Sequence, residues 1–177
     1  LDRREQDTWK NKVRAGNLYI NRGTTGAVVL RQPFGGMGKS AFGPGIKVGG
    51  PNYTPLFMRF KEKDLPEGND SLKDPELEKT IEKLLSLGRD GKLLMWQVEK
   101  IIAAARSYDL AAMEEFFLSH DHFRLRGQDN FRRYLPVHDI VIRLHPEDDS
   151  FQALARIFAA RTVGCRATVA YPPGGAP

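Results

Sequence analysis

The residues best suited to chemistry in this sequence are clustered glycines. Residues 16–53 hold ten of the chain's 17 glycines, in clusters at residues 23–26 (GTTG), 35–38 (GGMG) and 43–50. Glycine reaches positive φ and leaves room for a ligand to approach the backbone closely. Backbone amides exposed in such turns can bind an anion, and a carboxylate is a suitable guest. The same clusters are typical of simple turns, so spacing alone leaves both interpretations open.

The second glycine cluster ends like a phosphate-binding motif without satisfying it. Residues 35–40 read GGMGKS, but the first glycine of a P-loop would have to occupy the position of Pro33. No G-x-G-x-x-G pattern precedes a predicted helix here either. The glycine-rich segment is therefore not predicted to bind a nucleotide.

Thiol and imidazole groups are few. Cys165 follows a helix end with no histidine or other base nearby in sequence, so we interpret it as a buried, inert thiol rather than a nucleophile. Residues 120–122 (HDH) are the clustered pair of potential metal ligands. Structural zinc needs four ligands, so exposed or capping roles are favoured over a metal site. His138 and His145 flank a predicted strand. The sequence thus assigns no catalytic residue and no metal ligand.

Short apolar runs are expected to position the glycine clusters. Residues 18–20 (LYI) and 27–30 (AVVL) predict buried strands, giving the order strand, glycine turn, strand, glycine turn. Residues 2–14 predict the end of an amphipathic helix that Gly16 closes. Residues 57–60 (FMRF) fit either a closing strand or a short apolar turn.

The character of the chain changes near residue 70, where we expect a domain boundary. Residues 61–73 are charged and contain proline and glycine, which is typical of a linker. A helix should begin at Asp74-Pro75-Glu76 and end at Gly88, followed by one over residues 93–106 and one capped by Asp109. Their predicted inward-facing residues are Leu77, Ile81, Leu84 and Leu85; Leu94, Val98, Ile101 and Ala105; and Met113, Phe116 and Phe117.

Residues 139–171 predict a strand, a helix and a second strand. The strands are residues 140–144 (IVIRL) and 167–171 (ATVAY), and the helix covers residues 150–163 and is closed by Gly164. This order predicts parallel pairing. The carboxylates at residues 147–149 (EDD) stand where a pyrophosphate would approach the helix, and they would repel it. The unit is therefore predicted to be Rossmann-like without a nucleotide site. The predicted inward face of its helix carries Phe151, Leu154, Ala155 and Phe158.

Composition narrows the class of protein. The chain has 177 residues and is 41% hydrophobic, enough for one domain or two small ones. Its net charge of +5 comes from residues 1–70, and this excess is not gathered in a stripe, so nucleic-acid binding is not favoured. No apolar run is long enough to span a membrane. One cysteine excludes an internal disulfide and favours a reducing cytoplasm. The N-terminus lacks a signal peptide and an initiator methionine, so a piece of a longer protein is expected.

The glycine-rich segment resembles a known family. The stretch GNLYINRGTTGAVVLRQPFGG, followed by a serine and GGP, is similar to the C-terminal end of an aldehyde dehydrogenase catalytic domain. More narrowly, it resembles delta-1-pyrroline-5-carboxylate (glutamate-semialdehyde) dehydrogenases, in the version fused into bifunctional proline utilisation A. The resemblance is close over the first third of the chain.

The resemblance implies specific roles for three residues. In that family the turn that holds Gly26 and Ala27 is the aldehyde-anchor loop, whose backbone amides bind the α-carboxylate of glutamate semialdehyde. The family's aromatic residue that packs on the aliphatic stem of the substrate falls on Phe34. The resemblance also implies NAD-dependent oxidation of the semialdehyde to glutamate in proline catabolism, with FAD where a proline dehydrogenase domain is fused.

The catalytic parts of that family lie upstream of the matching segment. They are a cysteine nucleophile, a carboxylate base and the NAD-binding domain. We therefore expect the isolated chain to be inactive, to bind no cofactor and to have the remainder of the dehydrogenase polypeptide as its partner.

A looser resemblance covers residues 127–165. They are similar to the non-catalytic aldehyde-dehydrogenase-superfamily-like domain of longer proline utilisation A proteins, which is thought to cover the reaction tunnel or to support association. The expected fold is α/β, with residues 1–70 as the end of a catalytic domain and residues 71–177 as helices plus the βαβ unit. An interaction or oligomerisation module is the alternative, because exposed strand edges can pair with another chain, including a second copy. The tail, residues 171–177, is expected to be a frayed end or a docking strand.

Overall fold

The computed structural model describes residues 1–24, 26–41, 45–61 and 64–173, which fall into two compact units. The first unit consists of Leu1–Glu62 and His120–Arg132, and the second of Lys63–Ser119 and Arg133–Pro177. The chain therefore divides at residue 62 rather than near residue 70. A segment from the middle of the chain also folds with the N-terminal unit.

The first unit begins with helix α1 (Arg3–Lys12). Asp2 caps it in a capping box, and Val13 is the C-cap. The helix thus ends before Gly16, which corrects the predicted end point. Gly16 is needed for a different reason, because a Cβ atom there would overlap the carbonyl oxygen of Gly35.

The buried strands predicted in the first unit are absent from its described residues. Residues 18–20 are irregular, and residues 27–30 belong to a tight turn in which the backbones of Val28 and Gln32 exchange hydrogen bonds of 3.0 and 2.8 Å. The side chains of Val28 and Val29 are 39% and 68% exposed rather than buried. A strand needs neighbouring strands to bury its apolar face, and the described part of this unit provides only isolated bridges. In the ambiguous segment 57–60, Phe57 ends a short 3-10 turn (Thr54–Phe57), and Met58 and Phe60 after it are exposed.

Helices α2 (Pro75–Arg89) and α3 (Met95–Ala111) build the core of the second unit. The predicted start of α2 is confirmed, since the Asp74 carboxylate accepts a hydrogen bond from the amide of Glu76 at 2.9 Å and Pro75 is the first helical residue. The helix runs one residue past Gly88, its predicted end. Leu94 is 59% exposed and lies at the N-cap of α3, not on its buried face. The core consists of Leu72, Leu77, Ile81, Leu84, Val98, Ile101, Ile102, Ala105 and Phe158, with Leu85 packed against it.

The third predicted helix is a continuation of α3. Asp109, expected to be its cap, is buried within α3, where its carboxylate accepts hydrogen bonds from Asn69 Nδ2 at 2.7 Å and Lys73 N at 3.2 Å. These bonds tie the predicted linker to α3, so residues 69–73 are anchored rather than a free crossing. Beyond α3, Ala112–Phe116 form a π-helical turn, which changes the helical period. The predicted inward residues of this stretch are therefore partly exposed: Met113 by 40%, Phe116 by 38% and Phe117 by 52%.

The predicted βαβ unit is confirmed. Strands β1 (Asp139–Arg143) and β2 (Arg166–Ala170) pair in parallel, and helix α4 (Ser150–Thr162) connects them. Gly164, at φ 77°, follows the helix. Helix α4 packs on α3 and α2 through Phe158, and on one face of the two-stranded sheet through a second cluster. That cluster consists of Ile142, Leu144, Ala153, Ala160 and Cys165.

Among the described residues, no helix is long and apolar enough to cross a membrane. Some predictions fall outside the described residues. They concern Thr25 and Gly43 of the glycine clusters and residues 174–177 of the tail.

Candidate functional site

Gly26, Ala27 and Phe34, the residues implied to bind a substrate, lie on the exposed surface of the first unit. Gly26 and Ala27 are exposed, and a methyl group built on Gly26 would meet no heavy atom of the described residues within 4 Å. The Phe34 side chain is 69% exposed. The bridge between Val28 and Gln32 is an isolated antiparallel pair; Ala27 directly precedes it, and Phe34 follows it by two residues. The turn thus brings the predicted residues into one local structure.

The backbone of Phe34 is fixed by a second antiparallel bridge. Its amide donates to Val48 O at 3.0 Å, and the Val48 amide donates back at 2.8 Å. The amide of Leu30, in the bridged turn, donates to Gly49 O at 2.8 Å. The third glycine cluster therefore supports both the turn and the exposed aromatic ring.

Lys47 connects three parts of this backbone. Its Nζ atom donates to Gly16 O at 2.6 Å, to Gly35 O at 2.8 Å and to Asn17 Oδ1 at 3.0 Å. These contacts use all three ammonium protons, and burial lowers the pKa of Lys47 below its usual value. Sequence reasoning missed this residue, because a lysine between apolar neighbours carries no sign of the distant carbonyls that it binds.

The HDH segment at residues 120–122 forms a loop cap. The rings of His120 and His122 stack at a centroid distance of 6.1 Å. The Asp121 carboxylate accepts backbone hydrogen bonds, chiefly from Asn130 at 3.1 Å and from Arg124 at 3.0 Å, and these bonds lower the pKa of Asp121. Within the part of the chain that the structure describes, no three histidine, cysteine or acidic side chains form a group that could hold a metal ion.

The turn between β1 and α4 does not suit a dinucleotide. Asp149 Oδ1 accepts a hydrogen bond of 2.8 Å from the amide of Gln152. This amide is one of the donors at the helix N-terminus that a bound phosphate would need. Asp148 pairs with Arg156 and accepts the amide of His145 at 2.8 Å. Carboxylates therefore already occupy the positive end of α4, and the residues of this turn do not fit the pyrophosphate of NAD.

The Asp148–Arg156 ion pair should make the stability of the folded chain depend on pH. The hydrogen bond from Arg156 is the main cause that lowers the pKa of Asp148 from its ordinary value of 3.8. A carboxyl group with a lowered pKa stabilises the folded state above its unfolded pKa, and this contribution is lost as pH falls through the folded pKa. Asp148→Asn should therefore lower the urea midpoint at pH 7, with a gap from wild type that narrows below pH ~3.8.

Glu147→Gln is the matched control for this prediction, since the Glu147 side chain in the same turn is 90% exposed. The urea midpoint of Glu147→Gln should equal that of wild type at pH 7 and also below pH ~3.8. A difference in urea midpoint between Asp148→Asn and wild type that stays constant from pH 7 to below pH ~3.8 would contradict a stabilising role of the ionised Asp148 carboxylate.

Cys165 is buried, and its Sγ atom donates to the carbonyl oxygen of Val137 at 2.7 Å. A nucleophilic thiol has to be reachable by substrate and to form a thiolate. Cys165 instead has a structural role, because it packs in the buried cluster between α4 and the sheet.

Three comparisons connect this geometry to known proteins. Residues 1–62 match the model of the aldehyde dehydrogenase family. A 1-pyrroline-5-carboxylate dehydrogenase of Geobacillus thermodenitrificans (strain NG80-2) is 50% identical over 52 residues, which are 29% of this chain and 10% of the relative. One of Bacillus thuringiensis (strain Al Hakam) is 56% identical over 46 residues, 26% of this chain and 8% of the relative.

A solved structure matches the whole chain. Proline utilization A (PutA) from Corynebacterium freiburgense is similar over 100% of this chain and 16% of its own, with 32% sequence identity and a TM-score of 0.70. The chain spans about a tenth of the length of the 1-pyrroline-5-carboxylate dehydrogenases that it matches. These matches confirm the resemblance found in the glycine-rich segment. Residues 1–62 match the aldehyde dehydrogenase family model and are similar to 1-pyrroline-5-carboxylate dehydrogenases, and the whole chain resembles part of a proline utilization A.

Proposed function

We propose that this chain supplies the substrate-anchoring end of an NAD-dependent dehydrogenase that oxidises L-glutamate γ-semialdehyde to L-glutamate in proline catabolism. The backbone amides of Gly26 and Ala27 bind the α-carboxylate, and Phe34 packs against the aliphatic stem. One observation carries this proposal. The exposed turn and the exposed ring belong to one bridged structure, in the segment that matches the 1-pyrroline-5-carboxylate dehydrogenases.

Physical chemistry favours this use of the turn. Hydrogen bonds from neutral amides to a carboxylate are charge-assisted and stronger than those between neutral groups. An aromatic face at the neighbouring position removes the methylene groups of the same molecule from water. The Lys47 contacts hold the supporting backbone in place before substrate arrives, which lowers the cost of ordering the loop on binding.

The chemical step is assigned to the remainder of the polypeptide. Oxidation of an aldehyde in this family needs a thiolate nucleophile, a general base and a nicotinamide that accepts a hydride. The thiol of this chain is buried at Cys165, and the β1–α4 turn presents carboxylates where a phosphate would bind. NAD is therefore proposed for the intact enzyme, and FAD for a fused proline dehydrogenase domain where one is present.

An assay of NADH formation tests this division of labour. The purified chain, given glutamate semialdehyde and NAD, should form no NADH above the rate without protein, while the intact dehydrogenase forms it readily. Steady turnover by the isolated chain would show that the chemistry does not depend on absent residues, and the assignment would then be wrong.

A second candidate function is that of an interaction or oligomerisation module. It is favoured by the face of the β1–β2 sheet opposite α4, where Val141 is 69% exposed beside the Asp139–Arg166 ion pair. Exposed sheet surfaces and edges readily associate with another chain. Size-exclusion chromatography with light scattering distinguishes the two roles, since a dimer that Val141→Lys disrupts without loss of activity in the intact enzyme would support the module.

A further inference from the structure

We infer that the segment His120–Arg132 positions the proposed anchor turn, with Gln128 as the positioning residue. This inference rests on the function proposed above for Gly26 and Ala27. The contact that carries it joins residues 97 positions apart: Nη2 of Arg31 donates a hydrogen bond to Oε1 of Gln128 at 3.1 Å. The segment and the turn also belong to the same compact unit.

Arg31 lies inside the turn that begins directly after Ala27. The reciprocal hydrogen bonds of Val28 and Gln32 close this turn, and the amide of Arg31 donates to Val29 O at 2.7 Å. Leu30, at φ 58°, adopts a left-handed conformation that is unfavourable for a residue with a branched side chain. A strained turn of this kind persists only where surrounding contacts hold it. The Arg31 side chain provides such a contact.

The segment that receives Arg31 is organised by its own hydrogen bonds. Nε2 of Gln128 donates to Asn130 Oδ1 at 2.6 Å, and the Asn130 amide donates to Asp121 Oδ2 at 3.1 Å. The backbones of His120 and Arg132 exchange two hydrogen bonds of 2.8 Å, which join the ends of the segment. These hydrogen bonds fix the Gln128 side chain, so its Oε1 atom is held where it accepts the hydrogen bond from Arg31.

Arg31 depends on this acceptor. Its side chain is half-buried, and its Nε atom is buried with no hydrogen-bond partner in the described part of the chain. Among the described residues, its guanidinium makes its one side-chain hydrogen bond to Gln128. A partly desolvated charge that loses such a partner is strongly disfavoured, so the turn would move until the guanidinium reached water. The amides of Gly26 and Ala27 would move with it.

Steady-state kinetics of the intact dehydrogenase test the inference. Gln128→Leu should raise KM for glutamate semialdehyde about three- to tenfold, the usual range for one lost hydrogen bond, with kcat and KM for NAD changed less than about twofold. Gln128→Glu retains an oxygen for Arg31 and should restore KM. Asp129→Asn alters an exposed neighbour in the same segment and should have no effect.

A positioning role also predicts coupling. Arg31→Met should raise KM as Gln128→Leu does, and the double variant should be no worse than either single one. KM for an aldehyde without an α-carboxylate should stay constant in all variants, which a general loss of stability would not produce. If Gln128→Leu fails to fold, Arg31→Met and Gln128→Glu provide the same comparison.

The possible failures can be told apart. An unchanged KM in Gln128→Leu or Arg31→Met, while Gly26→Pro lowers carboxylate selectivity, would overturn the role of the segment and leave the anchor intact. Retention of carboxylate selectivity in Gly26→Pro would overturn the proposed function itself.

Discussion

Gly26→Pro in the intact dehydrogenase should lower kcat/KM for glutamate semialdehyde by about ten- to a hundredfold, the value of one hydrogen bond to a charged group. Proline has no N–H group and fixes φ near −65°, so it removes one of the two proposed donors and restricts the turn. The loss should appear mainly as a higher KM, because the carboxylate stays bound in both the ground state and the transition state. Steady-state kinetics with saturating NAD measure it.

Gly26→Ala is the matched comparison, because it keeps the N–H group. A Cβ atom at this position meets no heavy atom within 4 Å in the residues that the structure describes, and Gly26 is not among their glycines at positive φ. Alanine should therefore retain most of the activity. Equal losses in both variants would indicate that the space at Gly26, rather than its amide, matters to the enzyme.

Phe158→Ala should lower the free energy of unfolding of the chain by about 3–5 kcal/mol, the usual cost of removing a buried aromatic ring. Phe158 is 2% exposed and packs where α4 meets the core of α2 and α3. A loss of this size is a large share of the stability of a small domain. Urea unfolding followed by far-ultraviolet circular dichroism measures it, since α2, α3 and α4 contribute much of the helical signal.

Phe117→Ala is the control for this experiment. Phe117 is 52% exposed, and removal of an exposed ring leaves little cavity, so its urea midpoint should shift far less. If the two substitutions cost the same, Phe158 does not join α4 to the helical core.

Local signals allowed the second unit to be predicted from sequence. Asp74 and Pro75 set the start of α2, and Gly164 marks the end of α4. These residues act on the backbone within one helical turn, so their meaning does not depend on distant parts of the chain. The βαβ order followed from apolar periodicity of the same local kind.

Long-range contacts explain what the sequence could not predict. The apolar run at residues 27–30 suggested a strand, but burial of a strand depends on neighbours that the described first unit does not provide. Asp109 resembled a helix cap, whereas its partners, Asn69 and Lys73, lie about 40 residues away. In the candidate site, too, only part of the arrangement could be predicted from the sequence. The resemblance indicated Gly26, Ala27 and Phe34, but the supporting residues are known only from three-dimensional contacts.

Substrate selectivity shows directly whether the amides of Gly26 and Ala27 bind the carboxylate of the substrate. It is the ratio of kcat/KM for glutamate semialdehyde to kcat/KM for an aliphatic aldehyde of equal chain length without the α-carboxylate, in wild-type and Gly26→Pro dehydrogenase. If amides at this turn bind the acid end of the substrate, the substitution should lower the ratio about tenfold or more, while activity toward the plain aldehyde stays nearly constant. An unchanged ratio, with both substrates affected equally or not at all, would show that these amides do not bind the carboxylate.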